Sequence, residues 1–543
     1  MGRTKIPVAI AVLAALLVPI LGVLPPAQFF RLDDFAWLTW AKRHGVADAF
    51  DSAQAPATPG GRFRPAHALF WILGSRVFGP ESAVPWILLS SSFFAAGIAL
   101  LLLWGDCIDP RKPHAGKAAA AIWFAGFFPM LYLLLNVYNN GKTMVFFLIP
   151  VAVCSGISFY ERRRSLSLLV CLLAFVIGAL ARESVLAIVP AAVGAYALAD
   201  LRERGKPLLP LALGALLAVA VLLAAGAALS PLIRGTLQDL ARGEALAPWG
   251  GNLMVYAREV LWEGYRRYLW LGLVIAASYR RSSAFMITAV AVLLADFLFP
   301  RLSPLPVLIL LLLFWVSRMS KMNAALLAWF AAAYLILLPA RDPAESYFLE
   351  AAVPLALFLG IEVKGALASI AGRARGALRW GEGRKRWTAI AAWCVLVLLA
   401  AACAAGVYAV YTRDLLPVKR HGADFAEANR FMVRELPMGS AVHVFRQEEI
   451  YGEGLAEYIR RFRRFYLWKD HPECWFAAYD RPDVKVVYWT GKPDARAPAF
   501  FFASTPFEKD VYREESPAPG AALIFENRSS EVYDLRPAAD PAL

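Results

Sequence analysis

The chain alternates between long apolar runs and short polar breaks. Thirteen runs read as helices that cross a membrane: 6–24, 84–104, 118–135, 143–159, 165–181, 184–199, 208–229, 268–278, 284–299, 302–317, 323–339, 349–362 and 388–411. Most approach the roughly 20 residues that a helix needs to cross a bilayer core. Two stretches break the rhythm. Residues 25–83 are too polar to span but are rich in Phe and Trp, side chains that favour the membrane–water interface. Segments 35–43 and 67–77 read there as short helices lying at the surface. From residue 412 hydropathy falls and charge density rises, with strand patterns at 442–446, 484–489 and 521–525 and a helical pattern at 453–465. Residues 492–498, 516–522 and 537–543 read as loops and a frayed end. The expected architecture is therefore an α-helical polytopic membrane protein over 1–411, with a soluble α/β or α+β domain over 412–543.

Composition agrees. Of 543 residues, 59% are hydrophobic and 18% charged, and mean hydropathy is +0.52; soluble proteins run at about 45–50% and about 25%. The net charge of +14 could suggest nucleic acid. The basic residues nevertheless lie between apolar runs rather than in a domain of their own, which excludes that partner class. With the N-terminus in the cytoplasm, the cytoplasmic connections carry Arg111, Lys112 and Lys117; Arg162, Arg163 and Arg164; Arg202, Arg204 and Lys206; Arg280 and Arg281; Arg318 and Lys321; and a cluster from Lys364 to Arg386. Every one is basic, as the positive-inside bias requires. A missed span would invert the bias downstream, and none inverts. The count places the 412–543 domain outside. The first run is longer than the apolar core of a signal peptide and reads as an uncleaved anchor. Six cysteines form no CxxC pair, which argues against a disulfide framework or a cysteine zinc site. No internal repeat is visible, which counts against a transporter built from two halves.

The charged residues of the outside connections are the candidate chemistry, because charge at a span end is costly unless it faces a polar cavity or a partner. The first loop holds Asp33-Asp34 beside Arg31 and Trp37, then Gly60-Gly61-Arg62-Phe63-Arg64-Pro65. Later connections hold Tyr138-Asn139-Asn140-Gly141-Lys142, Arg182-Glu183, and Arg341 with Tyr347. Each has a plain structural alternative. Asp33 would cap a helix starting near Phe35, with Asp34 favourable to its dipole. Arg62 and Arg64 would snorkel to the interface. Asn140-Gly141 would be a tight turn. Arg182, Glu183 and Arg341 would form structural ion pairs. His44 and His67 also lie in the first loop, without the close His/Asp spacing of a metal site.

Together these features resemble the GT-C class of integral membrane glycosyltransferases. The chain is similar to the branch that holds the protein O-mannosyltransferases and the lipid A aminoarabinose transferases, and more distantly to oligosaccharyltransferases. The resemblance rests on the acidic pair after the first span, the Gly-Arg-Phe-Arg-Pro segment before the second, Arg182-Glu183 at a span junction, and Arg341 with Tyr347 before a late span. It covers residues 1–411. It implies transfer of a sugar from a polyprenyl-phosphate carrier, with inversion, to a glycan, lipid or protein acceptor on the outer side of a bacterial inner membrane. An acidic residue of the first loop would be the base, with Asp34 slightly preferred because the capping role suits Asp33. Arg62, Arg64, Lys142, Arg182, Glu183, Arg341 and Tyr347 would contact the carrier phosphate or substrate. Some members of the class use a divalent ion such as Mg or Mn, for which Asp33 and Glu183 are the candidate ligands. The competing readings are an O-antigen ligase or polymerase and a lipid or polysaccharide transporter.

Overall fold

The computed structural model describes residues 33–50, 64–80, 82–108, 140–205, 320–337, 350–358, 384–445, 474–490, 498–503, 506–515 and 521–536, with a few isolated positions. The expected spans at 6–24, 118–135, 208–229, 284–299 and 302–317 and the helix at 453–465 lie outside these residues, as does nearly all of 268–278.

The first loop holds two helices, α1 (Asp33–Arg43) and α2 (Pro65–Phe78), separated by a short 3₁₀ turn (Ala47–Phe50). Pro65 opens α2 because its fixed φ suits the first helical turn, where its missing N–H costs nothing. The apolar helices follow as α3 (Val84–Ile108), α4 (Asn140–Arg162), α5 (Ser165–Ala181), α6 (Val185–Glu203) and α7 (Lys321–Leu337). Residues 350–358 form a further, wholly buried helical segment. Among the described residues, α4 and α6 are long and apolar enough throughout to cross a membrane.

Helices α4, α5 and α6 pack in sequence, α3 lies against α4, and α7 lies against α6. Small residues allow the close contacts. A Cβ on Gly74 of α2 would stand 2.6 Å from Trp86 Cη2, so only glycine lets that indole lie across the helix. Large apolar side chains face outward along α5: Leu166 is 70% exposed, and Leu169, Leu172 and Leu173 each more than half. A water-facing surface of that kind is rare in soluble proteins, and a lipid-facing one is ordinary.

The charged ends of the helices are sorted. At one end Lys321 of α7 lies 3.2 Å from both Glu161 of α4 and Asp200 of α6, and the Tyr160 hydroxyl donates to Asp200 at 3.0 Å. These residues flank the connections that the charge pattern assigns to the cytoplasm. Among the described residues, Arg64, Asn140, Arg182 and Glu183 gather at the opposite end.

The expected boundary near residue 411 falls inside continuous helix. Helix α8 (Arg384–Val410) passes through one π-helical turn (Tyr411–Leu415) into α9 (Leu416–Glu435). Many of the described apolar side chains of α8 are exposed, Leu398 at 68%, whereas α9 buries Phe425, Ala428 and Met432 in the core of the domain beyond. The backbone is unbroken while its surroundings change.

That domain is a five-stranded mixed sheet ordered β2-β1-β3-β5-β4. The strands are β1 (Ala441–Val444), β2 (Lys485–Tyr488), β3 (Ala499–Ala503), β4 (Ala522–Glu526) and β5 (Glu531–Asp534). β1 is parallel to β2 and β3, while β5 is antiparallel to β3 and β4. β1 and β3 are buried along their whole length, which is why Ala-Phe-Phe-Phe-Ala reads as a continuous apolar run rather than an alternation. On one face Phe445, Trp489, Phe501 and Tyr533 pack around Tyr512 of α11 (Pro506–Glu515). On the other, Phe425, Met432, Phe500 and Phe502 meet Trp475 of the single-turn helix α10 (Cys474–Ala477). This second core runs without a break into Phe35, Trp37 and Leu38 of α1 and Trp71 of α2. The domain and the first loop thus share one hydrophobic core.

Candidate active site at one end of the helices

Four segments meet at the end of the helices opposite Lys321: the start of α2, the start of α4, the α5–α6 junction and the 350–358 helix. Arg64 stands just outside α2, kept out of the helix by the proline that follows it. Its guanidinium grips Glu183 through one edge, Nη2 at 3.0 Å from Oε2 and Nε at 3.3 and 3.4 Å from the two carboxylate oxygens. The partners are 119 residues apart and both are largely buried. Burial alone would push the Glu183 carboxyl up. The charge and hydrogen bonds of Arg64, helped by Arg182, outweigh it and hold the group below the usual carboxylate range.

The junction explains how adjacent residues serve different partners. Helix α5 ends where Arg182 turns extended, its N–H donating to the Gly178 carbonyl at 2.8 Å. Arg182 pairs with Glu350, which is 4% exposed, while Glu183 turns to Arg64. Sequence reasoning missed Glu350 because it lies just inside an expected span; a lone carboxylate near a span end was the available signal.

His67, one turn along from Arg64, donates its Nδ1–H to the Asn140 side-chain oxygen on α4. The edge of Trp37 on α1 closes over it at 4.6 Å between ring centres. Burial above all, then the Arg64 charge, drives the His67 pKa down to about 3 against the weaker pulls of Asn140 and Glu183, so the ring is neutral at physiological pH. Asn140-Gly141-Lys142 is helical rather than a tight turn. A Cβ on Gly141 would lie at ordinary contact distance, 3.4 Å from His67 Nδ1 and 3.6 Å from the Ala181 carbonyl oxygen. Lys142 lies in the same turn, half-buried.

Helix α1 already includes Asp33, so Asp33 occupies the first turn and not the capping position. Asp34 is fully buried. Its neighbour across the domain interface is Tyr479, whose phenol burial pushes far above its ordinary value, with the Asp34 charge adding to the effect. Residues 33 and 34 lie about 100° apart around the helix. Arg62, Arg341 and Tyr347 lie outside the described residues. His44 donates through Nδ1 to the Trp40 carbonyl at 2.7 Å and stacks on the Trp40 ring, a local tie within the loop.

As a metal ligand Glu183 fits poorly, because both of its oxygens are engaged by Arg64. Among the described residues no three His, Cys, Asp or Glu side chains gather as a metal site.

The neutral His67 has a measurable consequence. Its folded pKa lies below the unfolded value of about 6.5, so below that pH the unfolded chain takes up a proton that the folded chain refuses. Stability falls as pH drops from about 6.5 toward 3, by up to about 1.4 kcal/mol per pH unit. Thermal unfolding in detergent between pH 7 and 4.5 should show this decline, and His67→Gln should flatten it. An equal slope in both proteins would remove His67 as its source.

No protein-family model matches the chain, and no curated protein does. Among solved structures, two of ArnT from Cupriavidus metallidurans align along nearly the whole length. The apo state has 15% identity over 97% of this chain and 98% of that one, with a TM-score of 0.43. The state bound to undecaprenyl phosphate has 14% identity over 99% of each chain, with a TM-score of 0.44. ArnT is an aminoarabinose transferase of the GT-C class. It belongs to the branch that the sequence resembles. Alignments this loose transfer no residue role and no substrate.

Proposed function

We propose that the chain is a membrane glycosyltransferase that takes a sugar from a polyprenyl-phosphate carrier and transfers it, with inversion, to an acceptor on the outer side of the membrane. The observation that carries the reading is the convergence at one end of the helices. An acidic helix, a buried arginine–carboxylate pair and a second such pair are drawn there from segments spread over 300 residues of sequence. Structural ties alone account for each pair separately. They do not account for the concentration of costly charges where a carrier headgroup would lie.

The chemistry is direct. A carboxylate of the acidic pair takes the acceptor O–H proton as the oxygen attacks the anomeric carbon. The bond from that carbon to the phosphate oxygen breaks, and its electrons leave with the carrier phosphate. Arg64, Arg182 and Lys142 supply positive charge, and Arg64 adds a planar donor fork suited to phosphate oxygens. His67 is neutral and serves as a donor to Asn140 rather than as a charge. Between the aspartates, the full burial of Asp34 shifts the role of base to Asp33, since a base must reach the acceptor hydroxyl.

The test is transfer by the purified full-length protein in nanodiscs, offered a panel of polyprenyl-phosphate-linked sugars and a membrane-lipid extract as acceptor. Appearance of free polyprenyl phosphate with a glycosylated product is the expected result. Carrier flux across sealed vesicles without transfer would replace the reading with a transporter.

A further inference from the structure

The outer domain shares its core with the acidic helix, and among the described residues the short segment 474–480 makes the closest ties to it. Phe35, which follows Asp34, is 2% exposed and sits between Trp475 and Tyr479, each ring 6.2 Å from it. Trp475 is itself fixed: its indole N–H donates to the Asn429 side-chain oxygen of α9 at 2.7 Å, and its ring stacks on Phe425 at 5.6 Å. At the far end of α1, Lys42 reaches Asp480 at 2.8 Å. Tyr479 is half-buried, and burial raises its phenol pKa above the ordinary value, with the Asp34 charge adding to the effect. Nothing in the spanning helices requires these contacts. They bind a helix of the first loop to a domain that begins more than 370 residues later in the chain.

We propose that residues 474–480 are the positioning element of the acidic helix: Trp475 and Tyr479 seat Phe35 between their rings, Asp480 holds Lys42, and residues 33 and 34 are thereby held in register for transfer. The outer domain is then part of the catalytic unit, and Tyr479 is a positioning residue that touches no substrate. The inference rests on the proposed reading of the site for its functional half; its structural half stands without it.

The physical basis is the cost of placing a helix. α1 has only 11 residues, near the length at which an isolated helix is marginal in water. Its order must come from packing, and its packing partners are α2 on one side and α10 on the other. Trp37 fastens it to α2 through His67 and Trp71. Phe35 and Lys42 fasten it to the outer domain. With the second fastening lost, α1 is still attached but free to roll about the first.

The experiment compares wild type, Tyr479→Phe and Tyr479→Ala as full-length protein in nanodiscs, by amide hydrogen exchange and by steady-state transfer. Exchange over residues 33–43 should accelerate at least tenfold in Tyr479→Ala while β1 and β3 keep their protection. Tyr479→Phe keeps the ring that seats Phe35 and should hold exchange and kcat near wild type, while Tyr479→Ala should lower kcat about tenfold with the KM for the carrier-linked sugar unchanged. Unchanged exchange over 33–43 in Tyr479→Ala overturns the proposal, as does a Tyr479→Ala kcat equal to wild type. If β1 and β3 also lose protection in the alanine variant, Lys42→Ala decides: faster exchange over 33–43 supports the proposal and unchanged exchange overturns it. The two readings fail separately. If wild type transfers no sugar but 33–43 loosens in Tyr479→Ala, the function is wrong and the positioning stands. If wild type transfers and neither variant changes exchange or kcat, the positioning is wrong and the function stands.

Discussion

Asp33→Asn is expected to slow sugar transfer by a factor of about 10² to 10⁴, the usual contribution of a positioned general base. It should do so with little change in stability. Residue 33 is at the start of α1, where loss of a negative charge costs a few tenths of a kcal/mol, up to about 1 kcal/mol. Asp34→Asn should behave in the opposite way. Asp34 is fully buried, and disturbing a buried polar group costs about 1–3 kcal/mol. The expected result is a lowered melting temperature with a smaller, roughly tenfold, loss of transfer through disturbed placement of α1. The measurement is kcat for both variants beside thermal unfolding of the same preparations. If Asp34→Asn shows the larger loss of kcat with unchanged melting, the roles are exchanged and Asp34 is the base. If neither variant loses turnover, the acidic pair is not the reaction centre.

The second large effect is at Arg64. Arg64→Ala leaves the Glu183 carboxylate in a mostly buried position without its fork of donors. Breaking such a pair by removing one partner costs about 3–5 kcal/mol, and somewhat less here because the two side chains keep 17% and 12% of their surface exposed. Transfer should disappear as well, but that variant alone cannot separate folding from chemistry. Arg64→Met combined with Glu183→Leu can. Replacing a buried ion pair by apolar residues of similar size is often neutral or stabilising, so the double variant should melt near wild type and still transfer no sugar. Arg64→Lys keeps the charge without the planar fork and should retain about a tenth of the activity. Wild-type turnover by the double variant would reduce the pair to a structural tie.

Particular residues show what was legible in the sequence. α5 occupies residues 165–181 as expected, because an uninterrupted apolar run between an arginine cluster and Arg182 leaves little choice of ends. α1 and α2 were visible from aromatic spacing, within two residues at each end. The strands β3 and β5 were not anticipated. β3 is an apolar run whose alternation is erased by burial on both faces, and β5 contains Glu531, which is buried against Lys509 at 3.1 Å. Asn140-Gly141 looked like a turn because the dipeptide prefers one. Tertiary packing overrides that preference: Asn140 is fully buried in the first turn of α4, where its side-chain oxygen accepts from His67.

The sequence by itself determined the class of the molecule: apolar runs of membrane-crossing length, basic connections on alternate sides, and charged residues collected on the other. These are one-dimensional properties, set by bilayer thickness and by the sign of the loop charges. Partnership is different, because it depends on which distant segments pack together. Only the tertiary structure decided that Glu183 belongs to Arg64 and Arg182 to Glu350, although the two are adjacent in the chain. Only the tertiary structure buried Asp34 and packed the adjacent Phe35 on Trp475 and Tyr479, in a domain that begins hundreds of residues later. The low local dielectric makes an unpaired charge there costly, and so the partner of each charge, more than its presence, defines the site.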